Sequence, residues 1–230
     1  MNPVLVAHGT RKGSGVAMIG DLAEQVSGLL DRRVHTAFVD VLGPTPAEVL
    51  STLPPGPAVV VPAFLSSGYH VHVDIPTGVA SSGHPDVTVT AALGPSTAMV
   101  RVLTDRLIES GWLPTDSVVL AAAGTSDPRA ASDLRRTCAM LSATLGSRVE
   151  LAFAINAING TYWVGDVVAR LRKLGVGRVS VASYLLADGL FQDRLHACGA
   201  DLVTDPLGRH PGVAKLVAHR FRTARISLAA

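Results

Sequence analysis

The sequence predicts an α/β protein built as two tandem, similar halves, each a three-layer αβα arrangement around a parallel sheet. Three observations lead there. Short, β-branched apolar runs such as residues 59–62 and 118–121 alternate with longer segments whose apolar positions recur at helical spacing. Hydrophobic residues make up 48% of the 230-residue chain and aromatics only 4%, a balance that suits close packing of helices on a sheet. The pattern also restarts halfway: residues 118–125 align with 3–10, 149–155 with 34–40, and 179–185 with 59–65. The halves are placed at 1–113 and 114–230, with an active-site cleft expected between them.

In order, residues 3–8 read as a buried strand and Gly9 to Gly15 as a loop. Val16, Ile19, Leu22, Ala23, Val26, Leu29 and Leu30 then mark the apolar side of a helix. A second strand is expected over 34–41, with Asp40 near its end. Thr45 caps a short helix through Leu53, which the Pro-rich stretch 54–57 stops. The next run, Val59 to Pro76, begins as a buried strand, breaks at Ser66-Ser67-Gly68 and presents Tyr69, His70, His72 and Asp74. A helix to Ser82, a strand over 87–93 and a helix from Ser96 to about Gly111 complete the first half. The second repeats its opening: strand 118–123, helix 128–145, strand 149–155 and strand 179–185.

Charge excludes one class of partner. The chain carries 20 Lys+Arg against 18 Asp+Glu, a net +2, so there is no electrostatic case for nucleic acid. No apolar run approaches a membrane span, and no basic leader with an apolar core precedes the first strand, so a cytoplasmic location is expected. Cys138 and Cys198 stand far apart with no C-x-x-C spacing, so neither a disulfide framework nor an Fe–S cluster is expected.

His8 and His70 each follow the end of a buried strand, where parallel α/β proteins place their chemistry. Either histidine alone is more often satisfied by backbone at a strand end. The repeat separates these readings: His8 corresponds to Ala123, Asp40 to Ile155, and the His70 region to Leu190 or its neighbour. The scaffold recurs while all three polar positions turn apolar together, which favours one shared site. His70 pairs with His72 on one face if the segment is extended, and with Asp74 if it is helical. Asp74 is as readily an N-cap or charge partner as a ligand. His35 and His84 read as surface residues, and His196, His210 and His219 receive no role. Gly9 to Gly15 lacks the G-x-x-x-x-G-K-[ST] spacing, although Gly13 to Gly15 at a helix start can still hold an anion. Ala7 stands where a histidine phosphatase needs arginine, and G-x-S-x-G is absent.

Leu-Val-Ala-His-Gly-Thr-Arg at 5–11 and Val-Pro-Ala-Phe-Leu-Ser-Ser-Gly-Tyr-His-Val-His-Val-Asp-Ile-Pro at 61–76 resemble the paired motifs of the sirohydrochlorin chelatases, the class II tetrapyrrole chelatases. With the duplicated halves, the resemblance covers nearly the whole chain. It implies ATP-independent insertion of a divalent metal, Fe²⁺ for siroheme or Co²⁺ for cobalamin, into sirohydrochlorin. His8 and His70 match the family's metal-binding and proton-accepting histidines. Asp40 stands where the family often has glutamate, as a candidate third ligand, and His72 ranks behind these. Arg11, Lys12, Ser66, Ser67, Gly68 and Tyr69 are candidate substrate contacts in the cleft, and Asp74-Ile75-Pro76 is read as structural. The metal is substrate, no nucleotide or Fe–S cofactor is implied, and the expected assembly is a monomer or weak homo-oligomer. A non-catalytic tetrapyrrole or metal carrier, and an unrelated anion-binding enzyme using Gly13 to Gly15, are the alternatives.

Overall fold

The structure is a computed structural model that describes residues 1–155 and 162–228. The first half contains β1 (Asn2–Ala7), α1 (Gly13–Leu30), β2 (His35–Phe38), α2 (Pro46–Thr52), β3 (Ala58–Pro62), a π-helical turn (His70–Asp74), α3 (Ile75–Ser81), β4 (Val87–Val89) and α4 (Thr97–Glu109). The second contains β5 (Ser117–Ala122), α5 (Pro128–Leu145), β6 (Val149–Phe153), α6 (Val164–Lys173), β7 (Val179–Tyr184), α7 (Leu190–His196), β8 (Leu202–Val203) and α8 (Pro211–Leu228). Among the described residues, the strands form two four-stranded sheets of order β2-β1-β3-β4 and β6-β5-β7-β8, every pair parallel. The α/β class and its two parallel sheets are as the sequence predicts.

The chain divides into two compact units, residues 1–94 with 208–230, and residues 95–207. The repeat and the units are therefore different divisions. Helix α4 closes the first repeat in sequence but packs with α5 and β7, while α8 closes the second and packs with α1 and β3.

In the first unit, alternation along β1 sends Val4 and Val6 to a core shared with Val49 and Leu50 of α2 and with Ile75. Leu5, Val59 and Val61 point to the other face, on the side of α1 and α8, and all three are fully buried. Helix α1 buries Ile19, Leu22, Ala23 and Val26 of the expected stripe together with Met18, while Val16 and Leu29 are exposed, and it ends where Asp31 turns left-handed. In the second unit, Val119 and Ala121 of β5 meet Val164, Val167, Val168 and Leu171 of α6.

Several boundaries differ from the sequence reading. Strand β2 ends at Phe38, short of the expected Val41, although the Val39 and Asp40 N–H groups still donate to Ala7 O and His8 O, each at 3.0 Å. Strand β4 spans only three residues rather than reaching Leu93. The cause lies in β3: Thr90 N–H donates to Val60 O, so the next donor toward β4 belongs to residue 62, which is a proline. The helix expected after Pro76 begins earlier, inside the His70–Asp74 turn. Gly13 to Gly15 form the first turn of α1 instead of a loop.

The repeat register also shifts by one. Val4 pairs with Val60, and its equivalent Val119 pairs with Val181. Residues 58–64 therefore match 179–185, and the match continues without a gap to Gly68 and Gly189. That places Phe191, the neighbour of Leu190, opposite His70.

Candidate metal-binding site

Strand β1 lies between β2 and β3, so the chain leaves β1 for one side of the sheet and later returns on the other. The crevice beyond such a switch point, at the carboxyl ends of the strands, is where open parallel sheets bind ligands. His8 is the first residue past β1, and His70 starts the π-turn that follows β3. The two imidazoles meet: their centroids are 4.6 Å apart and their planes are inclined at 87°.

Each Nδ1 is committed. His8 Nδ1 lies 3.1 Å from Gly9 O, and His70 Nδ1 lies 2.5 Å from Asp74 Oδ2. A carbonyl and a carboxylate only accept, so Nδ1–H is the donor in both neutral rings and Nε2 carries the lone pair. Two neutral imidazoles with Nε2 unprotonated form a donor pair suited to a borderline divalent metal.

Backbone geometry holds His8 in place. Gly9 has φ +99°, and a Cβ there would lie 2.1 Å from Asp40 O. Only glycine admits that approach. Asp40 O also accepts from Leu42 N–H at 2.7 Å, closing a three-residue γ-turn around Val41 at φ +67°. The strained Val41 is exposed, and the Asp40 carboxylate accepts from its N–H at 2.7 Å. Asp40 is thus brought to the His8 backbone. Among the described residues, no group of three or more His, Cys, Asp or Glu side chains is placed to hold a metal ion.

The segment after β3 is helical, which settles the alternative left open by spacing. His70 shares a face with Asp74, to which its ring is bonded, while His72 lies off that face and is exposed. Asp74 makes no capping bond to α3, so it is a partner of His70 instead of an N-cap. Tyr69 is exposed and presents its ring nearly perpendicular to His70 at 6.1 Å, and Phe64 stacks on His70 at 5.9 Å. Nothing in the local residue pattern marks Phe64 as a site residue beyond its position two residues past β3. Ser66, Ser67 and Gly68 are half-buried in the connection, where Gly68 O accepts from Val71 and His72 N–H at 3.1 Å. Arg11 and Lys12 are exposed at the start of α1.

The CbiX family model matches residues 2–110 and again residues 117–224. The chain belongs to the CbiX family. Its two matches coincide with the two copies of the repeat. Among solved structures, this CbiX-family chain is similar to SirB from Bacillus subtilis with Fe3+, at 20% identity and TM-score 0.81, over 96% of this chain and 95% of that one. It is also similar to the sirohydrochlorin chelatase SirB from Bacillus subtilis subspecies spizizenii in complex with cobalt, at 19% identity and TM-score 0.74, over 96% and 94%. A third is CbiX, described as the terminal enzyme for biosynthesis of siroheme in denitrifying bacteria, at 20% identity and TM-score 0.74, over 97% and 99%. At these identities the likeness carries the fold. No curated protein matches the chain significantly.

Proposed function

We propose that this CbiX-family chain is a sirohydrochlorin chelatase, a lyase-class enzyme that inserts Fe²⁺ or Co²⁺ into sirohydrochlorin without a nucleotide or an Fe–S cluster. The observation that carries the reading is the His8–His70 pair, with both Nε2 atoms available at the carboxyl edge of β1 and β3. Membership of the CbiX family, whose namesake is described as the terminal enzyme of siroheme biosynthesis, supports it.

The chemistry follows from the donor set. Insertion requires a metal held loosely enough to leave, and it releases two protons from the pyrrole nitrogens as the dication enters the ring. Two imidazoles fill few coordination positions, so ring nitrogens can displace them one at a time. An imidazole has an ordinary pKa of about 6.5, which suits it to accept such protons at neutral pH. Sirohydrochlorin is a flat apolar ring edged with carboxylates. Exposed Tyr69 offers an aromatic face beside His70, and Arg11, Lys12 and the backbone of Ser66, Ser67 and Gly68 offer cationic and N–H partners for the rim. The start of α1 supports this role: it has no side-chain cap and no acid in its first turn, whereas Asp127 caps the equivalent helix α5. We place the enzyme in the cytoplasm as a monomer or weak homo-oligomer; no described helix is long and apolar enough to cross a membrane.

The test is anaerobic absorbance spectroscopy of the protein with sirohydrochlorin and Fe²⁺ or Co²⁺. Catalytic spectral conversion, lost in His8→Ala and His70→Ala, is expected. Stoichiometric binding without turnover identifies a carrier, and unchanged rates in both variants overturn the two-histidine site.

A further inference from the structure

The π-turn at His70–Asp74 contains one residue more than its counterpart in the second unit. From Gly68 and Gly189 the two chains run in step, so Tyr69 matches Leu190 and His70 matches Phe191. The next fully buried apolar residues are Ile75 and Leu195. Leu195 is four residues beyond Phe191, the ordinary α-helical spacing, whereas Ile75 is five beyond His70. The wide turn absorbs the extra residue, with Ile75 N–H bonded to His70 O. Pro76 favours this widening, because it has no N–H to give and its ring would clash with the carbonyl four residues back in a regular helix.

The insertion has a chemical result. In the second unit, the position four residues after Phe191 belongs to the core. In the first, the core anchor is displaced by one, and the position four residues after His70 is released to hold a carboxylate. We propose that Asp74 is a positioning residue for metal binding: it locks His70 in the Nδ1–H tautomer and ring orientation that leave Nε2 as the metal donor. The inference rests on the two-histidine reading above. Three observations carry it: the 2.5 Å contact between His70 Nδ1 and Asp74 Oδ2, the absence of any capping bond from Asp74, and partial shielding of both side chains, 33% and 30% exposed. Metal-binding histidines commonly engage their second nitrogen in this way, and loss of the partner weakens the metal about 10–100-fold.

The experiment measures Co²⁺ affinity by visible absorption and the His70 tautomer by ¹⁵N NMR, at one fixed, mildly alkaline pH. Asp74→Ala is expected to move His70 toward the Nε2–H tautomer and to raise the Co²⁺ Kd about 10–100-fold. Asp74→Asn, which can still accept from Nδ1–H through its amide oxygen, is expected to retain the tautomer and raise Kd several-fold through loss of charge. An unchanged tautomer and Kd in Asp74→Ala overturn the proposal. If that variant does not fold, an unchanged Kd in Asp74→Asn overturns it instead. His8→Ala and His70→Ala separate the two readings: if neither weakens Co²⁺, the two-histidine site fails, whereas a loss there with none at Asp74 removes only the positioning role.

Discussion

His8 and His70 are 62 residues apart in the chain, yet their imidazole centroids are 4.6 Å apart with the ring planes nearly perpendicular. That contact joins the residue after β1 to the turn that follows the neighbouring parallel strand β3, and the pair is expected to act as a unit.

Residues that share one metal contribute non-additively. Turnover in His8→Ala and in His70→Ala should each fall about 10²–10⁴-fold, the range for removing a positioned proton acceptor. The double variant should be no worse than the poorer single variant. Steady-state rates with sirohydrochlorin and Co²⁺ check this, and losses that multiply would mean two independent sites.

Two glycines should respond in opposite senses. A Cβ at Gly9 would meet Asp40 O at 2.1 Å, at φ +99°, so Gly9→Ala should cost more than about 1 kcal/mol and also impair activity by displacing His8. Gly20 lies within α1 with nothing within 4 Å of an added Cβ, and Gly20→Ala should stabilise by roughly 0.5–1 kcal/mol. Denaturant melts of both variants, with rates for Gly9→Ala, test the contrast.

The two cysteines should be inert in the native protein. Burial, with the Glu150 carboxylate adding to it, pushes the Cys138 thiol up to about 11, and burial also raises Cys198. Neither thiol should react with a disulfide-exchange reagent at neutral pH until the chain is unfolded. Rapid native labelling of either would show that its segment opens.

Acid should weaken the first unit before its carboxylates protonate. Burial, and secondarily the Arg33 charge, lowers the His35 pKa. The unfolded chain then binds more protons than the folded one between the folded pKa and about 6.5, so this contribution is complete above that window and is lost as pH falls through it. The unfolding midpoint should fall from pH 7 to pH 5, and His35→Thr should flatten that slope. An identical slope in the variant would assign the acid sensitivity elsewhere.

Local residue order determined the fold class, the repeat and both histidines. β-branched runs between amphipathic segments define buried parallel strands, and the connections leaving such strands converge on one edge of the sheet, so His8 and His70 are legible as a pair in the sequence itself. The repeat carries the same information: Ala123 occupies the scaffold position of His8 without its chemistry. Other features depended on contacts distant in sequence. Whether 70–74 is extended or helical was settled by burial of Ile75, which pulls an extra residue into a π-turn and swings Asp74 onto His70. Ladder pairing alone fixes the register of the third repeated strand, because runs of valine and alanine align almost equally well at either offset. The exchange of α4 and α8 was equally hidden: both have apolar stripes, and a stripe specifies that a face is buried without specifying which sheet buries it.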